Sequence, residues 1–112
     1  MTDCLFCKMV DGLIPADVVY EDESLLAFRD IHPQAPLHVL IIPKRHIATL
    51  NALDDAVLGG KLLQTAAKIA AEQGYADSGY RTVINCNEDG GQTVHHLHLH
   101  LLAGRAMHWP PG

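Results

Sequence analysis

Apolar and polar residues change their period several times along this chain, and the changes mark out its elements. Between Cys4 and Asp11, the residues Leu5, Phe6, Met9 and Val10 fall at helical spacing and Gly12 and Pro15 close the segment. A short helix is expected there, with an irregular knuckle around the two cysteines as the alternative. Val18 to Tyr20 and Leu25 to Phe28 are short apolar runs parted by Glu21-Asp22-Glu23-Ser24, the pattern of a hairpin. His38 to Ile42 reads as a strand ended by Pro43. The middle of the chain shifts to a 3.6-residue period. Asp54 or Asp55 can cap a helix running to about Gln73, with Leu58, Leu62, Ala66, Ile69 and Ala70 on one stripe and Gly74 as the stop. Gly59 and Gly60 in its first turns cost about 1 kcal/mol each relative to Ala and leave room for a close neighbour. Arg81 to Cys86 reads as a strand, Asn87 to Gly91 as a turn, and His96 to Leu102 as the strand paired with the first. In that last segment Leu97, Leu99 and Leu101 alternate with His96, His98 and His100, so one face is apolar and the other carries three imidazoles. Strands, then a long helix, then more strands predict the α+β class, an antiparallel sheet backed by a helix.

At 112 residues, 48% hydrophobic and 19% charged, the chain has the balance of one globular domain that buries roughly two thirds of its unfolded surface. No repeat or linker divides it. A formal charge of −5 argues against a nucleic-acid partner, whose phosphates call for a basic face. A small nucleotide remains open to it, because backbone N–H groups and a few His or Arg side chains hold phosphate without net positive charge. The longest apolar runs, such as Val39 to Ile42, are far short of the roughly 20 residues that span a bilayer, so no membrane association is expected. Asp3 and Lys8 interrupt any leader-like start, and three cysteines do not form a secreted disulfide framework, so the cytoplasm is the expected location. Cys86 has no visible partner and is expected in the core.

Same-face positions on a strand lie roughly 6.5–7 Å apart, so His96, His98 and His100 can reach one ligand. Histidine titrates near neutrality and serves as nucleophile, acid, base or metal ligand. A solvated edge strand would explain one such histidine, not three in strict alternation. His95 falls on the other face or points away. A metal-dependent hydrolase with the three imidazoles as ligands is the main rival at this level. Just upstream, Gly90-Gly91-Gln92-Thr93 offers backbone donors and two polar side chains, a cradle suited to an anion. Cys4 and Cys7 have the spacing of a zinc half-site, and the bland reading is a reduced, buried pair.

The run His96-Leu97-His98-Leu99-His100-Leu101-Leu102 matches the histidine triad pattern, and the chain resembles the histidine triad nucleotide-binding proteins. Ala27 to Ile31, Pro33 to Pro36, His38 to Lys44, Gly79 to Arg81, Gly90 to Gln92 and the tail Met107 to Gly112 are similar to the purine nucleoside phosphoramidase branch. The resemblance implies residues 1–112 as a single HIT domain. Its sheet of about five antiparallel strands, with one long and one short helix, would extend across a two-fold homodimer that residues 103–112 contact as a tail. It implies hydrolysis of purine nucleoside phosphoramidates, or of acyl- and aminoacyl-adenylates, through a nucleotidyl-histidine on His98, releasing AMP or GMP. His96 and His100 would flank the phosphate, with Gln92, Thr93 and the Gly91 backbone stabilising its charge and Asn85 on the phosphate side. Asp30 would accept the ribose hydroxyls, and Phe6, Ile14, Phe28 and Ile31, with Leu5, would wall the base. No metal is needed for that step. Members of the wider superfamily with an N-terminal cysteine pair bind zinc, which points to Cys4, Cys7, His46 and His96 as a structural tetrahedral set, although close relatives in the phosphoramidase branch lack the pair. Arg29, His32 and His95 depart from the family pattern around the outer pocket. A non-catalytic nucleotide sensor and a dinucleoside polyphosphate hydrolase are the alternatives.

Overall fold

The alternating and helical patterns resolve into one five-stranded sheet with a helix on each face, in a computed structural model that describes residues 3–112. Helix α1 is Leu5–Val10, followed by strands β1 Val18–Glu21, β2 Leu25–Arg29 and β3 Leu37–Pro43. Helix α2 is Ala56–Glu72, then come strand β4 Tyr80–Val83, the single helical turn α3 Asn87–Gly90 and strand β5 Leu99–Ala103. The strand order is β1-β2-β3-β5-β4 and every pairing is antiparallel.

Alternation along the central strands sends neighbouring side chains to opposite faces, each with its own core. Leu25, Ala27, Val39, Ile41, Leu99 and Leu101 bury against Leu58, Leu62, Ala66, Ile69 and Ala70 of α2. On the other face Leu26, Phe28, Leu40 and Ile42 bury against Phe6 of α1. Each fully buried Leu, Ile or Phe contributes about 1.5–3 kcal/mol, so the α2 face carries the larger share of stability and the α1 face is thinner. The stripe foreseen on α2 is the buried one, with Thr65 added, and Asp55 caps the helix by accepting the Leu58 N–H at 3.1 Å. The β1–β2 hairpin is pinned by Asp22. Its Oδ1 accepts from Ser24 and Leu25 N–H and its Oδ2 accepts from the Tyr20 hydroxyl at 2.7 Å. That hydroxyl bond leads the causes that hold the Asp22 carboxyl down at about 2.

Three expectations need correction. The strand expected over Arg81 to Cys86 pairs only from Tyr80 to Val83, because the chain then bends into α3, with Asn87 at φ +59° and Gly91 left-handed at φ +81° as its cap. Cys86 is half-buried at that bend and outside both cores. The strand expected from His96 begins only at Leu99, since β3 pairs no further than Leu99 and β4 no further than His100.

Candidate functional site

The three histidines approach the α1 face by different routes. His100 lies on β5 opposite Leu40, whereas His96, in a bend, and His98 lie just ahead of the ladder. Their leucine neighbours Leu97, Leu99 and Leu101 go into the α2 core, which turns the imidazoles towards α1. Phe6 packs edge-on against His98 at 5.2 Å and against His96 at 5.9 Å.

Hydrogen bonds fix which nitrogen of each ring carries the proton. His96, fully buried, donates from Nε2 to the Pro43 carbonyl at 2.8 Å, which leaves a lone pair on Nδ1. His98 donates from Nδ1 to the His96 carbonyl at 2.7 Å, which leaves a lone pair on Nε2. His100 depends on His38, which neither the triad pattern nor its position in an apolar strand singles out. The Gln34 N–H donates to His38 Nδ1 at 3.0 Å, so the His38 proton sits on Nε2 and is donated to His100 Nδ1 at 2.9 Å. The proton of His100 therefore sits on Nε2. Burial is the first cause that pushes His38 and His96 below the usual histidine range, and with the neighbouring His98 and His38 it takes His100 down to about 4. Neutral rings are what this chain of bonds requires at pH 7.

His98 and His100, 5.0 Å apart between ring centroids, open onto a cavity of about 420 Å³. Phe6, Phe28, Asp30, Ile31 and Thr93 of the expected set line it, with Leu5, Met9 and Leu40. Asp17, Arg29 and His32 stand on its lining as well. Asp30 accepts the His32 N–H on Oδ1 at 2.8 Å and keeps Oδ2 3.5 Å from His38 Nε2. Ile14 and Asn85 lie outside the lining, both half-buried. Gln92 is buried and has no amide proton to spare, since Nε2 donates to the Ala48 and Val94 carbonyls and Oε1 accepts the Asn87 N–H. It stitches the loop. The Gly91 N–H is bonded to the Glu88 carbonyl and the Gln92 N–H to the Asn87 carbonyl, so neither forms part of an anion cradle. His95 is exposed.

His96 turns its Nδ1 away from the cavity to a second cluster. Cys4 Sγ is 3.3 Å from it, Cys7 Sγ 3.5 Å and His46 Nδ1 3.2 Å, while Cys7 Sγ is 3.2 Å from His46 Nδ1. One lone pair cannot accept from three donors at once, so hydrogen bonding does not account for this convergence. The four groups fit a tetrahedral zinc: bonds of 2.0–2.1 Å to nitrogen and 2.3 Å to sulfur would give N–N edges of about 3.3 Å and N–S edges of about 3.5 Å. The Pro43 carbonyl behind His96 is the outer partner that a ligating imidazole takes. Asp30, His38 and His100 also converge, but there the His38 proton already lies between the two rings, and a metal would have to displace it.

Comparison with known proteins gives the family and the fold. A HIT domain model matches residues 11–107, a stretch that holds His46 and the triad and begins after Cys4 and Cys7. A HIT-like protein of Synechococcus elongatus is 54% identical over 112 residues, covering 98% of this chain and 97% of that one. The crystal structure of a HIT family hydrolase from Legionella pneumophila matches with a TM-score of 0.95 at 57% identity, over 98% of this chain and 100% of that one. A histidine triad nucleotide-binding protein from Candida albicans matches with a TM-score of 0.83 at 31% identity, over 96% and 83%.

Proposed function

The chain belongs to the HIT domain family, and on that premise we propose that it hydrolyses purine nucleoside phosphoramidates and the related acyl- and aminoacyl-adenylates. One observation carries the reading. In a single cavity, His98 offers a lone pair on Nε2 beside His100, which offers a proton on Nε2. A nucleophile and an anion donor side by side suit attack on a phosphoryl group.

His98 Nε2 attacks the α-phosphorus and the P–N bond breaks, the leaving nitrogen taking its proton from water to depart as the amine; with an acyl-adenylate the P–O bond to the acyl group breaks instead and the carboxylate departs without needing a proton. The His98 Nδ1–H bond to the His96 carbonyl stabilises the positive charge that the ring gains in the nucleotidyl-histidine. Water then attacks phosphorus, the bond to His98 breaks, and AMP or GMP is released. His100 Nε2–H and the Thr93 hydroxyl donate to the phosphoryl oxygens, and Asp30 Oδ2 takes a ribose hydroxyl. The aromatic and aliphatic walls from Phe6, Phe28 and Ile31 suit a purine. Cys4, Cys7, His46 and His96 would hold a zinc ion that supplies structure rather than chemistry, tying α1 and His96 together beside the nucleophile. The unpaired outer edge of β4 and the exposed Trp109 of the tail support a two-fold homodimer. No helix among the described residues is long and apolar enough to cross a membrane, and the free cysteines suit the reducing cytoplasm, where we place the protein.

The test is steady-state hydrolysis of adenosine 5'-phosphoramidate by the wild type and His98→Ala, each with and without a strong chelator. The substitution should lower turnover by roughly three orders of magnitude or more, as expected when a covalent nucleophile is removed. Wild-type turnover should persist under chelation. Turnover abolished by a chelator while circular dichroism shows the fold intact would overturn the mechanism.

A further inference from the structure

We propose that Arg105 is a positioning residue for this reaction: it clamps the loop whose Gln34 amide sets the tautomer of His38, and through His38 the proton that His100 presents to the cavity. The proposal rests on the hydrolase reading above and goes beyond the triad to the start of the tail.

The chain leaves β5 at Gly104, which has φ +98°, and a Cβ there would come within 2.7 Å of the Pro36 side chain. Only glycine allows the tail to turn this tightly against loop 33–36. Arg105 then donates from Nε to the Gln34 carbonyl at 2.9 Å and from Nη1 to the Ala106 carbonyl at 3.1 Å, so one planar guanidinium bridges tail and loop. The same Gln34 donates its N–H to His38 Nδ1, and its side-chain amide donates to the His32 carbonyl. At the far end of the tail, Arg81 Nη2 donates to the His108 carbonyl at 3.0 Å. The loop is thus held on its outer side by Arg105 and reports inward to His38.

The arrangement matters because a buried imidazole has two neutral forms, and a single backbone donor chooses between them. His38 is only 6% exposed, so no solvent competes for its Nδ1. With the Gln34 N–H in place, Nδ1 must be the acceptor and Nε2 the donor to His100. If the loop drifts far enough to lengthen that bond, the form protonated on Nδ1 becomes accessible. His38 Nε2 then accepts, His100 must carry its proton on Nδ1, and the cavity loses the donor aimed at the phosphoryl oxygens. The walls for the base are untouched and the change reaches the ribose side only through Asp30 Oδ2, 3.5 Å from His38 Nε2, whereas the phosphoryl donor is lost outright, so the defect falls mainly on turnover.

The experiment compares wild type, Arg105→Ala and Arg105→Lys as full chains. Imidazole nitrogen NMR at pH 7.5 assigns the protonated nitrogen of each histidine, and hydrolysis of adenosine 5'-phosphoramidate is measured on the same samples. In the wild type, His38 and His100 should both be protonated on Nε2. In Arg105→Ala both should acquire a population protonated on Nδ1, with His96 and His98 unchanged. Its kcat should fall about three- to tenfold, the effect of one hydrogen bond, with KM within about twofold. Arg105→Lys keeps the charge without the fork and should lie between, which preserves the test if the alanine variant unfolds. Unchanged His38 and His100 tautomers in a folded Arg105 variant would overturn the proposal, whatever its activity. A wild type that does not hydrolyse the phosphoramidate, with tautomers that still shift in the variant, would overturn the hydrolase reading and leave the clamp standing.

Discussion

Replacing His46 with alanine should abolish binding of the proposed zinc without changing any residue that lines the cavity. His46 is exposed and touches the cavity nowhere, so as a plain surface substitution it would change stability by no more than about 0.5 kcal/mol. As one of four ligands it should do far more. Helix α1 has six residues, too few to be stable alone, and Phe6 is its one fully buried side chain. Burial of that ring contributes about 1.5–3 kcal/mol, whereas ordering each backbone residue costs about 1–2 kcal/mol. Two of the six positions from Cys4 to Met9 carry thiols of the cluster, so a bound ion would hold the segment at both ends of its first turn. A metal present at a thousand times its dissociation constant adds about 4 kcal/mol to unfolding. At roughly 4 °C per kcal/mol for a chain of this length, its loss should lower Tm by about 15 °C. The assay is native mass spectrometry for stoichiometry together with thermal melts with and without chelator. Wild type should carry one zinc per chain and melt about 15 °C lower after chelation, while His46→Ala should be metal-free, melt near the chelated wild type and ignore chelator. Wild type that carries no metal, or whose melts coincide with and without chelator, would refute the assignment.

Two further outcomes follow from the same bonds. Unfolded histidines take up a proton near pH 6.5, whereas folded His100 waits until about 4 and His38 is also held below its ordinary range. Stability from these rings is therefore complete above about pH 6.5 and drains away as pH falls towards 4, so urea midpoints should drop steadily between pH 7 and 5, and a flat profile would count against neutral, buried rings. Gln92→Leu should strand the Ala48 and Val94 carbonyls and the Asn87 N–H, costing about 1–3 kcal/mol for each group left buried, read as a lower urea midpoint; a midpoint within error of wild type would mean that this amide does not hold the loop.

The sequence made the α2 stripe and the two-faced strand around the triad legible because each depends only on local period, and burial rewards those periods wherever the chain goes. The cysteine and histidine cluster was legible through the family resemblance alone, since Cys4 and His96 are 92 positions apart and meet only in the fold. His38 was not. A histidine flanked by Leu37 and Val39 looks like a strand residue turned to the polar side, and what gives it a role is the antiparallel register that sets it beside His100, 62 residues away. Gln92 misled in the opposite direction. A polar side chain after two glycines suits an anion cradle, yet an amide with two donors and an acceptor can also close a loop on itself, and only the positions of Ala48 and Val94 decide between the two.

The largest departure from the expected strand is also the one that gives the site its chemistry. Had His96 and His98 continued the β5 ladder, the His96 carbonyl would have been drawn into a cross-strand bond, as ladder carbonyls are. Because the neighbouring strands end their pairing at Leu99 and His100, that carbonyl is free to accept from His98 Nδ1, and the Leu97 N–H turns instead to the Ile47 carbonyl at 2.6 Å. Leu97 still buries in the α2 core, so the side-chain alternation survives where the ladder does not. Alternation of leucine and histidine specifies which way the rings face. Withdrawal from the ladder specifies which nitrogen of His98 is free, and a nucleophilic imidazole needs both.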